Sequence, residues 1–298
     1  MHLNLLSLAL AVAVGLRWLS QSLGMGRGSW QRRWSLSLGC FALPPLLLLS
    51  TTLAIVIMGL RGQMWGMPVG DWSYGVSLGF LGLALGRLGL EFRSLKQTQH
   101  LMQTYAPLPP LLTDGVPLVG RLLPHDRLFA GQVGWWRSQL LLSQGVLDQF
   151  SGEPLGAIVA HEQAHGHYRD CFWFFWLNWL GQLTPGLPQT EPLWQELLLL
   201  REHRADAWAA QRTDALVLAE TLVSFVQHCR QTSIQDSPVG LMALSDRRAF
   251  HRLEERVEAL VQLQSQVSLV SSGSWGVGLA WGLVAIALPL ITIPFHSS

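Results

Sequence analysis

Charge is what this chain has least of. Only 13% of its 298 residues are Asp, Glu, Lys or Arg, where an ordinary soluble domain carries about a quarter. Cysteine is scarce too. Cys40, Cys171 and Cys229 form neither a metal-type pair nor a disulfide framework, which fits a reducing compartment. A net charge of +1 supplies no basic field for a phosphate backbone, so nothing points to nucleic acid as a direct partner. No long-period repeat is present, which argues against a solenoid. The N-terminus lacks both a basic start and a small-x-small cleavage site. Its first apolar stretch therefore reads as a retained span and not as a signal peptide.

The missing charge is concentrated in four stretches. Leu3 to Leu19 is apolar until Arg17, which can snorkel from a helix end. Leu36 to Leu60 has no charge, Trp72 to Leu90 only Arg87, and Trp275 to Phe295 none. Each approaches the ~20 residues needed to cross a bilayer. The expected organisation is three transmembrane helices within residues 1–90 (about 3–19, 36–60 and 72–90), a domain over 91–272, and a fourth transmembrane helix over 275–295. The third span carries Gly75, Gly79, Gly82, Gly86 and Gly89. This spacing suits close helix packing in lipid, or reflects the ordinary glycine content of membrane helices. The aromatic run Cys171 to Leu183 is too short to span and reads as a buried or interfacial segment. Arg27, Arg32 and Arg33 follow the first span without an acid, and Arg93 and Lys96 follow the third. The positive-inside rule puts both regions, and the 91–272 domain, in the cytoplasm. Membrane lipid is thus an expected partner.

Within that domain stands His161-Glu162-Gln163-Ala164-His165. On a helix the two histidines lie one turn apart on one face and can share a zinc ion, while the adjacent glutamate acts as a general base. In a chain of this composition the pattern arises by chance about once in a hundred, so its context must carry weight. Ser151 can cap a helix here, with Glu153 and Pro154 in its first turn, and Leu155, Ile158 and Val159 form an apolar stripe. Thr190-Glu191-Pro192 starts a second helix that reaches Arg201-Glu202-His203-Arg204-Ala205-Asp206. Glu202 and Asp206, four apart, share a face. Glu202 can complete a His161, His165, Glu202 set with a fourth position open, the arrangement of one catalytic zinc. Asp206 can hold a ligand histidine by its other ring nitrogen. The bland reading of this segment is a solvated face with intrahelical ion pairs.

Residues 91–105 continue the third span as helix, and Ala106 to Pro110 forms a stiff linker. Pro117–Leu123, Leu128–Val133 and Arg137–Leu142 look like short strands. They form either a structural hairpin or a sheet edge that takes an extended substrate as an added strand. Asp214 to Arg230 is an amphipathic helix with Leu216, Leu222, Val223 and Val226 in the core. Thr232 to Ser245 is a loop. Asp246 to Leu263 is a charged helix with a mostly solvated face. His203, His251 and Arg256 are candidates to stabilise an oxyanion. His167 points away from the metal. Arg247-Arg248 reads as an arginine-rich helix start, with self-cleavage as the alternative.

Taken together, Leu-Phe-Ala-Gly from 128, Ser-Gln-Leu-Leu-Leu-Ser-Gln-Gly-Val-Leu from 138 and Ile-Val-Ala-His-Glu-Gln-Ala-His-Gly-His-Tyr-Arg-Asp to 170 resemble the BlaR/MecR family of membrane zinc metallopeptidases. Arg169-Asp170 is typical of that family. Residues 201–206 are also similar to the HtpX and CAAX prenyl protease relatives, and Leu253-Glu254-Glu255-Arg256-Val257 is similar to a motif near the end of both groups. The resemblance covers roughly residues 70–295 and is specific in the two metal motifs. It implies a gluzincin with His161, His165 and Glu202 as ligands and Glu162 as general base, an outward N-terminus and a cytoplasmic catalytic domain. Three residues follow Phe295, so the family's penicillin-binding sensor is not expected in this chain. Ala205 replaces a common Cys of BlaR/MecR members, which tilts the second helix toward HtpX.

The expected fold is thus a mostly α membrane protein, with four transmembrane helices and a cytoplasmic zincin-like α+β domain carrying a small β-sheet. The expected function is a multi-pass zinc metalloendopeptidase of a bacterial cell membrane, acting on cytosolic or juxtamembrane proteins. By family analogy the substrate is a transcriptional repressor, with an accessory sensor as a possible partner. The alternatives are HtpX-like quality control of membrane proteins and an inactive metal-binding scaffold. A small transporter would need more charge within the membrane than Arg17 and Arg87.

Overall fold

Long apolar runs become helix because lipid offers backbone groups no other partner. In the computed structural model, α1 (His2–Ser22), α2 (Trp30–Met58) and α3 (Asp71–Thr104) are each long and apolar enough to cross a membrane, consistent with a membrane protein. The structure describes residues 2–22, 29–59, 63–64, 67–68, 70–109, 112–113, 116–232 and 253–265. The expected span over 275–295 lies outside them, as do Arg247, Arg248 and His251. The described chain forms two compact units, residues 2–91 with 176–197 and residues 92–175 with 198–265.

The first unit contains α1, α2 and the apolar part of α3. It also takes the second half of α6 (Asp170–Leu183) and the first turns of α7 (Thr190–Ala209). Arg17, expected to snorkel, is instead fully buried. The reason lies in α2. Pro45 has no N–H to give the carbonyl four residues back, so the Phe41 carbonyl is left without its helical donor. Arg17 Nη2 donates to it at 3.1 Å, with the guanidinium 5.1 Å from the Phe41 ring centroid. Arg33, expected in a loop, stands in the first turn of α2, where its Nε donates to Glu196 Oε1 at 2.7 Å. Leu180 and Leu183 pack with Ala84, Phe80 and Trp179. Glu91 accepts hydrogen bonds from Asn178, at 3.0 Å, and from Gln182. A side chain grown on any of the five glycines of α3 would meet nothing within 4 Å, so close packing on this stripe is not seen among the described residues.

Two two-residue hairpins, β1 (Gln63–Met64) with β2 (Met67–Pro68) and β4 (Leu112–Thr113) with β5 (Val116–Pro117), stand apart from the main sheet. That sheet belongs to the second unit and comprises β3 (Ala106–Pro107), β6 (Gly120–Leu123), β7 (Ala130–Val133) and β8 (Gln139–Ser143), in the order β3-β6-β8-β7. The expected linker at Ala106 is therefore an edge strand. Pro107 is tolerated there because an edge residue needs no ladder N–H on its outer side. β6 and β8 run parallel, and the other pairs are antiparallel.

Successive side chains of a strand point to opposite faces, and β8 uses both. Leu140 and Leu142 pack with Ile158 and Val159 of α5 (Gly152–His167), and with Val146 of α4 (Gln144–Gln149). Leu141 faces the other way, onto Met102 and Val133. The opposite flank of α5 is lined by Ala157 and Ala160. These small residues admit α8 (Ala215–Thr232) and α9 (Leu253–Ser265) closely, through Ala215, Leu218, Ala219 and Leu260. Leu216, expected in the core of α8, is 45% exposed. The buried stripe runs instead through Ala215, Leu218, Ala219 and Val226, and Asp214 caps the helix through Leu216 N at 2.7 Å.

Candidate metal centre

Two faces of α5 are spent on the sheet and on α8 and α9, and a third presents histidine. His161, Glu162 and His165 are all buried. Ser151 occupies the N-cap but makes no capping bond, and the helix opens on Gly152 at φ +60°. The other end matters more. Past Tyr168 the chain turns through Arg169 in the left-handed region, φ +54°, and enters α6 at Asp170. That turn returns the Asp170 carboxylate to its own helix, where His165 Nδ1 lies 2.8 Å from Oδ2.

Helix α7 supplies the facing carboxylates. Glu202 and Asp206 project together, as their spacing requires. His161 Nε2 lies 3.3 Å from Glu202 Oε2, and His165 Nε2 lies 3.7 Å from Glu202 Oε1. The two Nε2 atoms are 3.2 Å apart. On its far side, His161 Nδ1 meets Asp206 Oδ1 at 2.9 Å, too bent for a regular hydrogen bond but close enough for strong attraction.

These distances test whether the residues suit a zinc ion. Ligand atoms at about 2.0–2.1 Å from a tetrahedral zinc stand about 3.3 Å from each other. The two Nε2 atoms, 3.2 Å apart, match one edge of such a tetrahedron. Glu202 sets Oε2 3.3 Å from His161 and Oε1 3.7 Å from His165, and one donor atom from each of the three residues lies within 4.8 Å of the other two. The donor set, two imidazoles and a carboxylate, is of the catalytic type. Each imidazole also turns its remaining nitrogen to a carboxylate, the arrangement that orients metal-bound histidines. The site therefore fits the group that the sequence implies.

Behind the carboxylates stand three buried arginines. Arg256 of α9 grips Asp206 with two bonds of 2.7 Å and places Nη1 3.4 Å from Glu202 Oε2. Arg204 donates to Asp170 and lies with its Cζ 4.1 Å from the Tyr168 ring centroid. Arg201 donates to Glu202 Oε1 at 2.9 and 2.7 Å. Burial alone would raise the Asp206 carboxyl, but the Arg256 charge and its hydrogen bonds overcome this and hold it down to about 2. Burial likewise opposes ionisation of Glu202, and Arg201, then the histidines and Arg256, keep its carboxyl well below the usual range. For His161 burial works downward, and the contacts with Asp206 and Glu202 push it up to about 10.

The structure thus gathers His161, Glu162, His165, Glu202 and Asp206 within one unit. The other sequence candidates go elsewhere. Arg256, expected in a solvated face or at an oxyanion, is buried because its charge is spent on Asp206 and Glu202. His203 turns its Nε2 to Glu255 at 3.5 Å. His251 lies outside the described residues. His167 is exposed, its ring centroid 5.8 Å from that of Trp208. The sheet edge offers less than expected, since the Gln132 carbonyl accepts from the Cys171 thiol at 3.3 Å and Gly131 to Val133 are buried.

Sequence spacing missed the brace from Asp170 and the pairing of Arg204. A five-residue offset is not a helix-face spacing, so only the reversal at Arg169 aligns Asp170 with His165. A comparison with protein-family models, with curated proteins and with solved structures gave no match.

Proposed function

We propose that this chain is a membrane-anchored zinc metalloendopeptidase. The observation that carries the reading is the convergence of His161, His165 and Glu202 donor atoms within 4.8 Å of one another, beside the buried carboxylate of Glu162. The organisation we propose has four spans, including residues 275–295, with the N-terminus outward and the metal-bearing unit in the cytoplasm of a bacterial cell. The basic residues flanking the first and third spans support that orientation.

His161, His165 and Glu202 would hold the zinc. When bound, zinc supplies Lewis acidity and lowers the pKa of a water toward neutrality. Glu162 takes a proton from the attacking water and returns it to the departing amine. Asp206 and Asp170 hold the two imidazoles with Nε2 toward the centre; Arg256 keeps Asp206 ionised, and Arg204 holds Asp170 in place by its hydrogen bond. Arg201 fixes the rotamer of Glu202. Cleavage of a cytosolic or juxtamembrane protein follows from the proposed cytoplasmic placement of the site, with a transcriptional repressor or damaged membrane proteins as the substrate class.

The test compares wild-type protein with Glu162→Gln in native membranes, profiling protein fragments and measuring bound zinc. The peptidase reading expects equal zinc in both and loss of the zinc-dependent fragments by about a hundredfold or more in the variant. Identical fragment profiles with equal zinc would instead identify a metal-stabilised scaffold.

A further inference from the structure

The loop between β7 and β8 reads Gly134-Trp135-Trp136-Arg137-Ser138 and carries no acid. Its two indoles behave differently. Trp135 is half-buried among Phe92, Phe172 and Phe175, with ring centroids 5.5, 5.3 and 6.1 Å away. Trp136 is 50% exposed. It packs edge-on against Phe172 at 4.9 Å and carries the Arg169 guanidinium over its face at 3.9 Å. Arg137 and Arg169 are both exposed. The loop therefore presents one indole flanked by two cations, on a base of aromatic rings.

We infer that this loop is a lipid-contact site, with Trp136 seated at the headgroup level of the bilayer and Arg137 and Arg169 set against lipid phosphates. Two observations select lipid as the occupant. Phe92, part of the aromatic base, is only two residues past Leu90, where the apolar stretch of α3 ends, and the exposed Arg93 and Lys96 follow it. Aromatic residues next to basic ones at the end of an apolar helix mark the membrane–water interface. The charge also complements a phosphate layer, since the loop and Arg169 are cationic. An indole bridges these two media because its body is apolar while its N–H needs a polar partner.

The contact has a consequence for the metal centre. The loop leaves directly from β7, which packs against α5 through Gln132 and Gly166. A bilayer held at Trp136 would keep the centre near the membrane surface and favour scissile bonds close to a substrate's own membrane anchor. That consequence rests on the peptidase reading, whereas the lipid contact does not.

The test uses the full chain in phosphatidylcholine nanodiscs. An environment-sensitive fluorophore is attached at Arg137→Cys and, separately, at Glu220→Cys, an exposed position of α8. The parent protein, labelled in parallel, sets the background from its native cysteines. Lipids with a nitroxide on the headgroup should remove most of the fluorescence at position 137 and leave position 220 nearly unchanged. Trp136→Ala should restore much of the signal at 137. Equal, weak quenching at both positions would overturn the lipid contact and leave the Trp136 surface to a protein partner. The readout does not involve cleavage, so failure of the peptidase reading would leave it unaffected.

Discussion

His165 is braced by an aspartate from its own stretch of chain, and His161 by one from another helix. Asp170 reaches His165 across one tight turn and is backed by Arg204 of α7. Asp206 reaches His161 from α7 and is backed by Arg256, fifty residues further along in α9. The chemistry of the two arms is alike: imidazole, carboxylate, guanidinium. Their architecture differs. The Asp170 arm ties α5 to α6 and α7, and stands as soon as those helices pack. The Asp206 arm closes only when α9 docks. Arg256 also touches Glu202, so that docking completes the electrostatic surroundings of the proposed metal ligand as well as those of Asp206.

The largest effect expected is loss of the metal. His161→Ala and His165→Ala should each reduce zinc to background in purified protein measured by elemental analysis. Zinc kept by either variant would mean that the two arms do not share one ion. Next come the arginines. Arg256→Met strands Asp206 and part of Glu202, and Arg204→Met strands Asp170. Breaking a buried pair costs about 3–5 kcal/mol, and the thermal midpoint should fall further for Arg256→Met because two carboxylates lose their cation. An equal fall would contradict the special standing of the α9 arm.

Asp206→Asn and Asp170→Asn should weaken zinc binding about 10- to 100-fold, read by competition with a chelator. An unchanged affinity in one variant would show that its histidine needs no brace. A titration of the metal-free protein sharpens the comparison further. Asp206, held down to about 2, contributes stability that is present above its ordinary value near 3.8 and lost as pH falls toward 2, about 2 kcal/mol. His161, raised to about 10, contributes stability that is full below its ordinary 6.5 and lost as pH rises through 10. The thermal midpoint of metal-free protein should thus peak between these limits. Zinc binding near pH 8 should release about one proton from the His161 arm, as calorimetry in buffers of different ionisation enthalpy would register. The smallest effect concerns the turn. Arg169→Gly removes about 1 kcal/mol of left-handed strain and forfeits the stacking on Trp136, so its stability should stay within about 1 kcal/mol of wild type.

Part of this was legible in the residue order. Helical periodicity placed His161 with His165 and Glu202 with Asp206, because three- and four-residue spacings are properties of any helix. Apolar length marked α1, α2 and α3. Arg17 was misread because its partner, the Phe41 carbonyl, is freed by a proline in a different helix. Ala106-Pro107 was taken for a linker because nothing local announces that β6 will arrive beside it.

The sequence by itself determined the candidate ligand types, their grouping into two helical pairs and the apolar lengths that fit a bilayer, all consequences of local geometry and composition. Only the tertiary structure decided that the two pairs meet, that Asp170 turns back onto His165 and that Arg256 comes from afar to Asp206. Those outcomes depend on a left-handed turn at one arginine and on the alanines of α5 letting α8 and α9 approach. A buried charge acquires its role from whichever opposite charge the folded chain brings within reach.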